Sequence, residues 1–350
     1  MVQYQSSGPL KLRPIDNPPN PYLKREVEYL DDVPGCAPEI YEDHSRAILA
    51  SNDSPDVGFS YSVNPYRGCT HACAYCYARP THEYLDFGAG TDFDTKIAVK
   101  MHAPELLRAA FDRPSWKGDL IAFSGVTDCY QPLEASFRLT RGCLEVCAEY
   151  RNPVGIITKA PLIERDIDVL QEIARNARLW VTVSIPFWQQ DHARAIEPYV
   201  STPRRRMQII ERLARSGVPV GVNVAPVIPG LGDEDIPSIL SAAKEAGASH
   251  AGYQLVRLPG SVKDVFEQRL RAMLPDRAER VLHRIRETRG GKLSDPRFGV
   301  RGRGEGLYAE TIRALFQTTV RRLGLDGEHD DPGPTPFRRP PKPGAQLPLL

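Results

Sequence analysis

The chain has 350 residues, of which 41% are hydrophobic and 25% charged, and its formal net charge is +1. Those proportions belong to a globular protein with apolar material for one large core or two smaller ones, and they exclude a collagenous or wholly disordered chain. The near-zero net charge excludes a global field steering the protein toward nucleic acid or an anionic membrane, so any basic surface must be local.

Residues 1–58 come first and are rich in Pro, Asp, Asn and Ser, as in "RPIDNPPNPY" and "SNDSPDVG". With little periodicity, they read as an irregular N-terminal extension, partly ordered where it lies on the core. The opening "MVQYQSSGPLKLRP" lacks the apolar centre of a secretory signal. No apolar run approaches the roughly 18 to 20 residues that span a bilayer. A cytoplasmic protein with no membrane association is the expectation. Seven cysteines, an odd number unevenly spread, do not form a secreted disulfide framework. In a reducing compartment, clustered cysteines bind metal or do redox chemistry.

Residues 59–260 alternate. Apolar or β-branched runs fall at 59–65, 119–125, 153–159, 179–185, 219–227 and 250–256, with helical patterns between them. The helix beginning "TPRRRMQ" has Thr202 as a cap and Pro203 at its first position. Six strands alternating with helices predict parallel βα units. The strands lack clean alternation, as expected when both faces are covered. A doubly wound sheet shares this pattern, but no Gly-rich phosphate-binding turn is present. The fold class is therefore α/β, a curved and incomplete (βα)6 barrel. In such folds the chemistry sits at the C-terminal ends of the strands. The polar residues predicted there are Ser124, Thr127, Asp128, Thr158, Lys159, Ser184 and Asn223. Residues 261–326 read as a C-terminal helical region, and residues 327–350 as a disordered Pro-rich tail.

"YRGCTHACAYCYAR", residues 66–79, holds Cys69, Cys73 and Cys76 with no fourth cysteine nearby. Three thiolates from one loop can hold three irons of a four-iron cluster and leave the fourth iron open, as a catalytic zinc keeps a vacant position. Two other readings use the same residues. Zinc could take the three cysteines with His71 or His82. A cluster used only for electron transfer would need Cys129, Cys143 or Cys147 as a fourth ligand.

The Cys69-x3-Cys73-x2-Cys76 spacing after the first barrel strand, with Tyr75 before the last cysteine, resembles the radical S-adenosylmethionine (SAM) superfamily. The resemblance spans roughly residues 59–256. It implies a [4Fe–4S] cluster on Cys69, Cys73 and Cys76, SAM on its open iron, and an electron donor such as flavodoxin or ferredoxin. The superfamily's Gly-Gly-Glu stretch, which binds the SAM amino group, corresponds here to "FSGVTDCYQPLE". The resemblance thus assigns SAM contacts to Tyr75, Ser124, Gly125, Thr127 and Asp128. Thr127 and Asp128 could instead cap the following helix. Lys159 suits the SAM carboxylate by charge, and Ser184 and Asn223 could bond the ribose.

"CAYCYA", "VTDCYQPLE", "IITKAPLIERDIDVL" and "APVIPGLGD" together resemble the branch related to spore photoproduct lyase, which repairs a thymine lesion in DNA. Tyr75 and Tyr77 occupy the places of tyrosines that flank the last cluster cysteine and relay a hydrogen atom, which makes Tyr77 a catalytic candidate. The position of that family's hydrogen-donating cysteine is Gly125 here. Cys129 lies four residues on, where it could act from a shifted position or be a small buried residue. Cys143 and Cys147 share one helix face and read as core. Basic stretches such as "RRRMQIIERLAR" and "RFGVRGRGEG" leave nucleic acid as a possible partner.

Overall fold

The computed structural model describes residues 13–15, 38–327 and 333–341. In chain order its strands are β1 (Arg13–Ile15), β2 (Glu39–Glu42), β3 (Leu49–Ser51), β4 (Tyr61–Val63), β5 (Tyr66–Arg67), β6 (Lys96–Val99), β7 (Ile121–Phe123), β8 (Val154–Thr158), β9 (Leu179–Ser184), β10 (Val220–Val227) and β11 (Ala251–Leu255). The helices are α1 (Thr91–Thr95), α2 (Ala103–Phe111), α3 (Glu134–Phe137), α4 (Leu139–Glu149), α5 (Ile167–Asn176), α6 (Gln190–Ile196), α7 (Pro203–Arg215), α8 (Ile236–Glu245), α9 (Val262–Met273), α10 (Pro275–Glu287) and α11 (Leu307–Leu323). No helix among the described residues is long and apolar enough to cross a membrane.

Each of the six apolar runs forms a strand. β4, β7, β8, β9, β10 and β11 pair in parallel and in that order. This is the mixed α/β architecture with helical crossovers that the alternation predicts, followed by a helical C-terminal region. The Thr202 hydroxyl accepts from Arg205 N at 3.2 Å and caps α7 as its sequence foretold.

One expectation is sharpened and two change. The extension is ordered where it lies on the core, because β3 pairs antiparallel with β4, and β2 pairs parallel with β6 in a second sheet of order β1-β2-β6-β5. Strands of three or four residues are too short to show a period. The two faces of the main sheet are not both covered. Val181, Val183, Val220 and Val222 point to the helices and are 0–1% exposed, whereas Thr182, Asn223 and Ile157 on the concave side reach solvent. At Gly155, on the same side, an added Cβ would meet nothing within 4 Å. The barrel interior is therefore open. Finally, residues 333–341, inside the stretch read as a disordered tail, are docked. Phe337 lies edge-on to Phe111, and the Arg339 guanidinium donates to the carbonyls of Phe111, Arg113 and Trp116 at 2.6–3.0 Å.

The main sheet does not close on itself, and a loop spans its two edges. At one edge Leu255 N donates to Gly302 O at 2.9 Å. From the same loop Gly299 N donates to Asp56 Oδ1 at 2.7 Å, and Arg301 pairs with Asp56 and Ser54. Asp56 lies between β3 and β4, at the opposite edge. Residues 299–302 thus bridge the open side of the barrel.

The helical region divides between two cores. Ala309, Ile312, Phe316 and Val320 of α11 join the main core, beside α8. Phe266, Leu270, Val281 and Ile285 of α9 and α10 form a second core that includes Cys73, Ala74 and Tyr75. That second core is what seats the cysteine loop.

Candidate active site

The cysteine loop leaves β5 and ends in a 3-10 helix over Arg79–Leu85. At its entry Gly68 has φ +82°, and an added Cβ would lie 2.9 Å from His82, Ile97 and Lys96 atoms. Only glycine fits that turn. Cys69 N donates to Phe93 O at 2.9 Å and Ala74 N to Ile196 O at 3.0 Å, which ties the loop to two neighbours. Gln131, fully buried, accepts from Thr70 N at 3.2 Å and donates to Gly68 O at 3.0 Å. The Arg79 guanidinium, 1% exposed, donates to the carbonyls of Cys73, Ala89 and Gly90 and pairs with Asp94 at 2.8 Å.

All three thiols are free, and burial pushes each of them up, Cys69 to about 12. Thiolates crowded in this way repel one another and are poorly solvated, so a cationic guest would reverse the preference. The zinc reading fares worse. His82 Nε2 is engaged with Lys96 O at 2.8 Å, and His71 Nδ1 lies 3.6 Å from Asp128 Oδ2. Among the described residues no three His, Cys, Asp or Glu side chains converge on one ion position. A cluster whose irons each take one thiolate does not need them to converge.

The rim residues named from sequence gather beside this loop. Asp128 accepts from Thr158 Oγ1 at 2.7 Å, Lys159 N at 2.8 Å and Tyr130 N at 3.0 Å, so it locks the ends of β7 and β8 together. Thr127 donates to Tyr66 O at 3.1 Å. Ser124 accepts from Cys129 N at 2.9 Å. The Lys159 ammonium lies 5.8 Å from the Tyr75 ring centroid. Ser184 and Asn223 sit opposite each other on β9 and β10. Cys129 is different, since it is 1% exposed in the main core, where burial pushes its thiol up. Cys143 and Cys147 are fully buried, as their shared face suggested.

Sequence reasoning missed four residues that shape the site. Gln131 and Arg79 brace the loop. Glu197 accepts from the Tyr75 hydroxyl and pairs with Arg206, and the Arg206 guanidinium also donates to Ser184 O at 3.0 Å. Glu197 and Arg206 are each 1% exposed. One signal was present: Arg206 falls on the apolar stripe of α7 with Ile209, Ile210 and Leu213.

Tyr77 is 48% exposed, and its hydroxyl donates to Gly125 O at 2.6 Å. At Gly125 an added Cβ would lie 2.9 Å from Ser62 Cβ and 3.0 Å from its hydroxyl. A side chain at position 125 would therefore collide with Ser62 of β4. Gly125→Cys is expected to lower stability by about 1–3 kcal/mol through overpacking, and Ser62→Gly in the same chain should recover most of it. Thermal unfolding of the single and double variants measures both, and an undiminished Tm in Gly125→Cys would contradict the crowding.

The basic stretches are neutralised in part. Arg205 and Arg212 both pair with Glu164, Arg271 with Glu267 and Glu279, and Arg297 with Asp295 and Glu305.

Comparison with known proteins supplies a family and a fold. The family model described as the radical SAM superfamily matches residues 63–243. An uncharacterized protein of Mycobacterium tuberculosis (strain ATCC 25618 / H37Rv) is 35% identical over 274 residues, 77% of this chain and 76% of that one. The radical SAM Nalpha-GlyT isomerase of Pseudomonas phage M6 is 24% identical over 275 residues, 76% of this chain and 55% of the isomerase. Among solved structures, spore photoproduct lyase complexed with dinucleoside spore photoproduct superposes with a TM-score of 0.60 at 15% identity, covering 81% of this chain and 79% of the lyase. At that identity the likeness is one of fold.

Proposed function

Because the chain belongs to the radical SAM superfamily, we propose that Cys69, Cys73 and Cys76 hold a [4Fe–4S] cluster and that SAM binds at the adjoining barrel rim. When bound and reduced by a donor such as flavodoxin or ferredoxin, the pair would supply a 5′-deoxyadenosyl radical that takes hydrogen from a substrate. The observation that carries this reading is the convergence of a braced three-cysteine loop with the polar ends of β7 to β10.

The chain's own residues have separable tasks. Gln131 and Arg79 fix the loop, so the three sulfurs are presented without reorganisation. The Lys159 ammonium, near the Tyr75 ring, would pair with the SAM carboxylate. Thr127 and Asp128, beside Ser124 and Gly125, would receive the amino group, since a hydroxyl or carboxylate oxygen accepts from an ammonium. Ser184 and Asn223 would bond the ribose. Tyr77, half-exposed over Gly125, would pass a hydrogen atom between the substrate and the rim.

A second reading, a nucleic-acid lesion lyase, takes its support from the fold likeness to spore photoproduct lyase. Gly125 and the crowding by Ser62 weigh against that reaction in its known form. The test of the first reading is anaerobic reconstitution, with iron and sulfide counted, followed by reduction in the presence of SAM. The expected product is 5′-deoxyadenosine. A protein that takes up four irons and four sulfides but never cleaves SAM would sink the proposal.

A further inference from the structure

The barrel mouth carries a cation that has no ion pair among the described residues. Arg257 follows β11, and its guanidinium carbon lies 5.9 Å from the Tyr77 ring centroid. It is only partly exposed, and among the described residues it makes no ion pair with a carboxylate. Burial first, and then the Arg301 and Arg289 guanidinium groups, disfavour its charge, which Tyr77 and the more distant Asp56 carboxylate only partly offset. The nearby carboxylates are already committed. Asp56 serves Arg301 and Gly299 N, while Asp295 and Glu305 serve Arg297. Arg289 spends its donors on the carbonyls of Val300 and Val256 at 2.9 and 2.8 Å.

Arg301 and Arg297 take the three carboxylates, Arg289 is satisfied by backbone carbonyls, and Arg257, against the Tyr77 ring, makes no ion pair among the described residues. Holding such a cation partly desolvated among like charges is unfavourable unless an anion joins it. A solvated rim arginine would turn outward. The planar fork of Arg257 matches an oxyanion in a bidentate arrangement.

We infer that Arg257 is the seat for an oxyanion of the substrate, a carboxylate or phosphate group held beside Tyr77 at the clasped mouth of the barrel. The inference rests on the proposed radical SAM reading for its meaning, but the anion seat stands or falls by itself. It makes the substrate an acid or a phosphate ester whose anionic group anchors it while a neighbouring C–H is presented to the interior.

The test uses crystals of the reconstituted protein soaked in selenate, a tetrahedral stand-in for phosphate, or in 4-bromobenzoate, a carboxylate whose aryl bromine does not react with thiols. Anomalous scattering from selenium or bromine locates each anion. A peak within hydrogen-bond distance of the Arg257 guanidinium is expected for at least one probe, and which probe it is distinguishes phosphate from carboxylate. The peak should be lost in Arg257→Gln and weakened in Arg257→Lys, which keeps the charge but not the fork. No peak at Arg257 in the parent protein, or a peak that persists in Arg257→Gln, overturns the inference. An occupied seat in a protein that fails to cleave SAM would leave the seat standing and remove the radical reading. SAM cleavage with an unoccupied seat would do the reverse.

Discussion

Cys73→Ala is expected to fold, yet to lose both iron uptake and 5′-deoxyadenosine production. The same holds for Cys69→Ala and Cys76→Ala. The loop does not depend on its sulfurs for shape. It is tied by the backbone bonds of Cys69 and Ala74, by the Gln131 amide and by the Arg79 guanidinium. Cys69 and Cys73 are buried and Cys76 is half-buried, but removing one sulfur deletes a single small atom, so thermal stability should fall by no more than about 1–2 kcal/mol. Iron binding should fall much further. Loss of an outer-shell partner alone typically costs metal affinity on the order of 10- to 100-fold, and loss of a direct ligand costs more.

Cys143→Ala supplies the opposite pattern. Its thiol is fully buried in the main core. That variant should lose stability and keep its iron and its SAM cleavage. Iron and acid-labile sulfide counts, read beside thermal unfolding, separate the two classes. A triple variant of Cys69, Cys73 and Cys76 that still binds four irons and cleaves SAM would end the assignment.

What the sequence disclosed followed from periodicity and spacing. Six apolar runs were long enough to show themselves as strands, and each is one. The cysteine triplet is local, so its spacing could be read directly. The polar residues at strand ends were found because parallel βα topology dictates where ends meet. What stayed hidden depends on partners far apart in the chain. Lys96–Val99 becomes a strand by pairing with Glu39–Glu42, more than fifty residues earlier. The clasp at Gly299–Gly302 needs Asp56, some 245 residues away. Phe337 looked like one aromatic in a proline-rich tail, and its role rests on Phe111 and Tyr150. "RRRMQIIERLAR" read as a basic surface because composition does not say which arginine turns inward.

Arg206 is that arginine, and Arg206→Ala carries the largest stability effect expected of the site. The guanidinium and the Glu197 carboxylate are both 1% exposed. Arg206 makes three kinds of contact: to Glu197, to Ser201 O at 2.8 Å and to Ser184 O at 3.0 Å. Truncation leaves a buried carboxylate with only the Tyr75 hydroxyl, and two carbonyls without donors. Breaking a buried pair from one side costs about 3–5 kcal/mol, because the partner charge stays desolvated. Total stability of a domain is only about 5–15 kcal/mol, so the loss would be a large fraction of it. Arg215→Ala sets the scale. Its pair with Glu211 is exposed, and such pairs contribute about 0–1 kcal/mol. Arg206→Met with Glu197→Gln removes both charges, keeps an acceptor for Tyr75, and should recover part of the loss. Urea unfolding of the four proteins measures each difference. The site should register it as well, since Tyr75 is held over the rim by Glu197, and Ser184 by Arg206. Arg206→Ala should therefore weaken SAM binding by titration even where the protein remains folded, and the charge-free double variant should restore it in part. An Arg206→Ala protein within about 1 kcal/mol of the parent would mean that the buried pair does not hold this wall of the site.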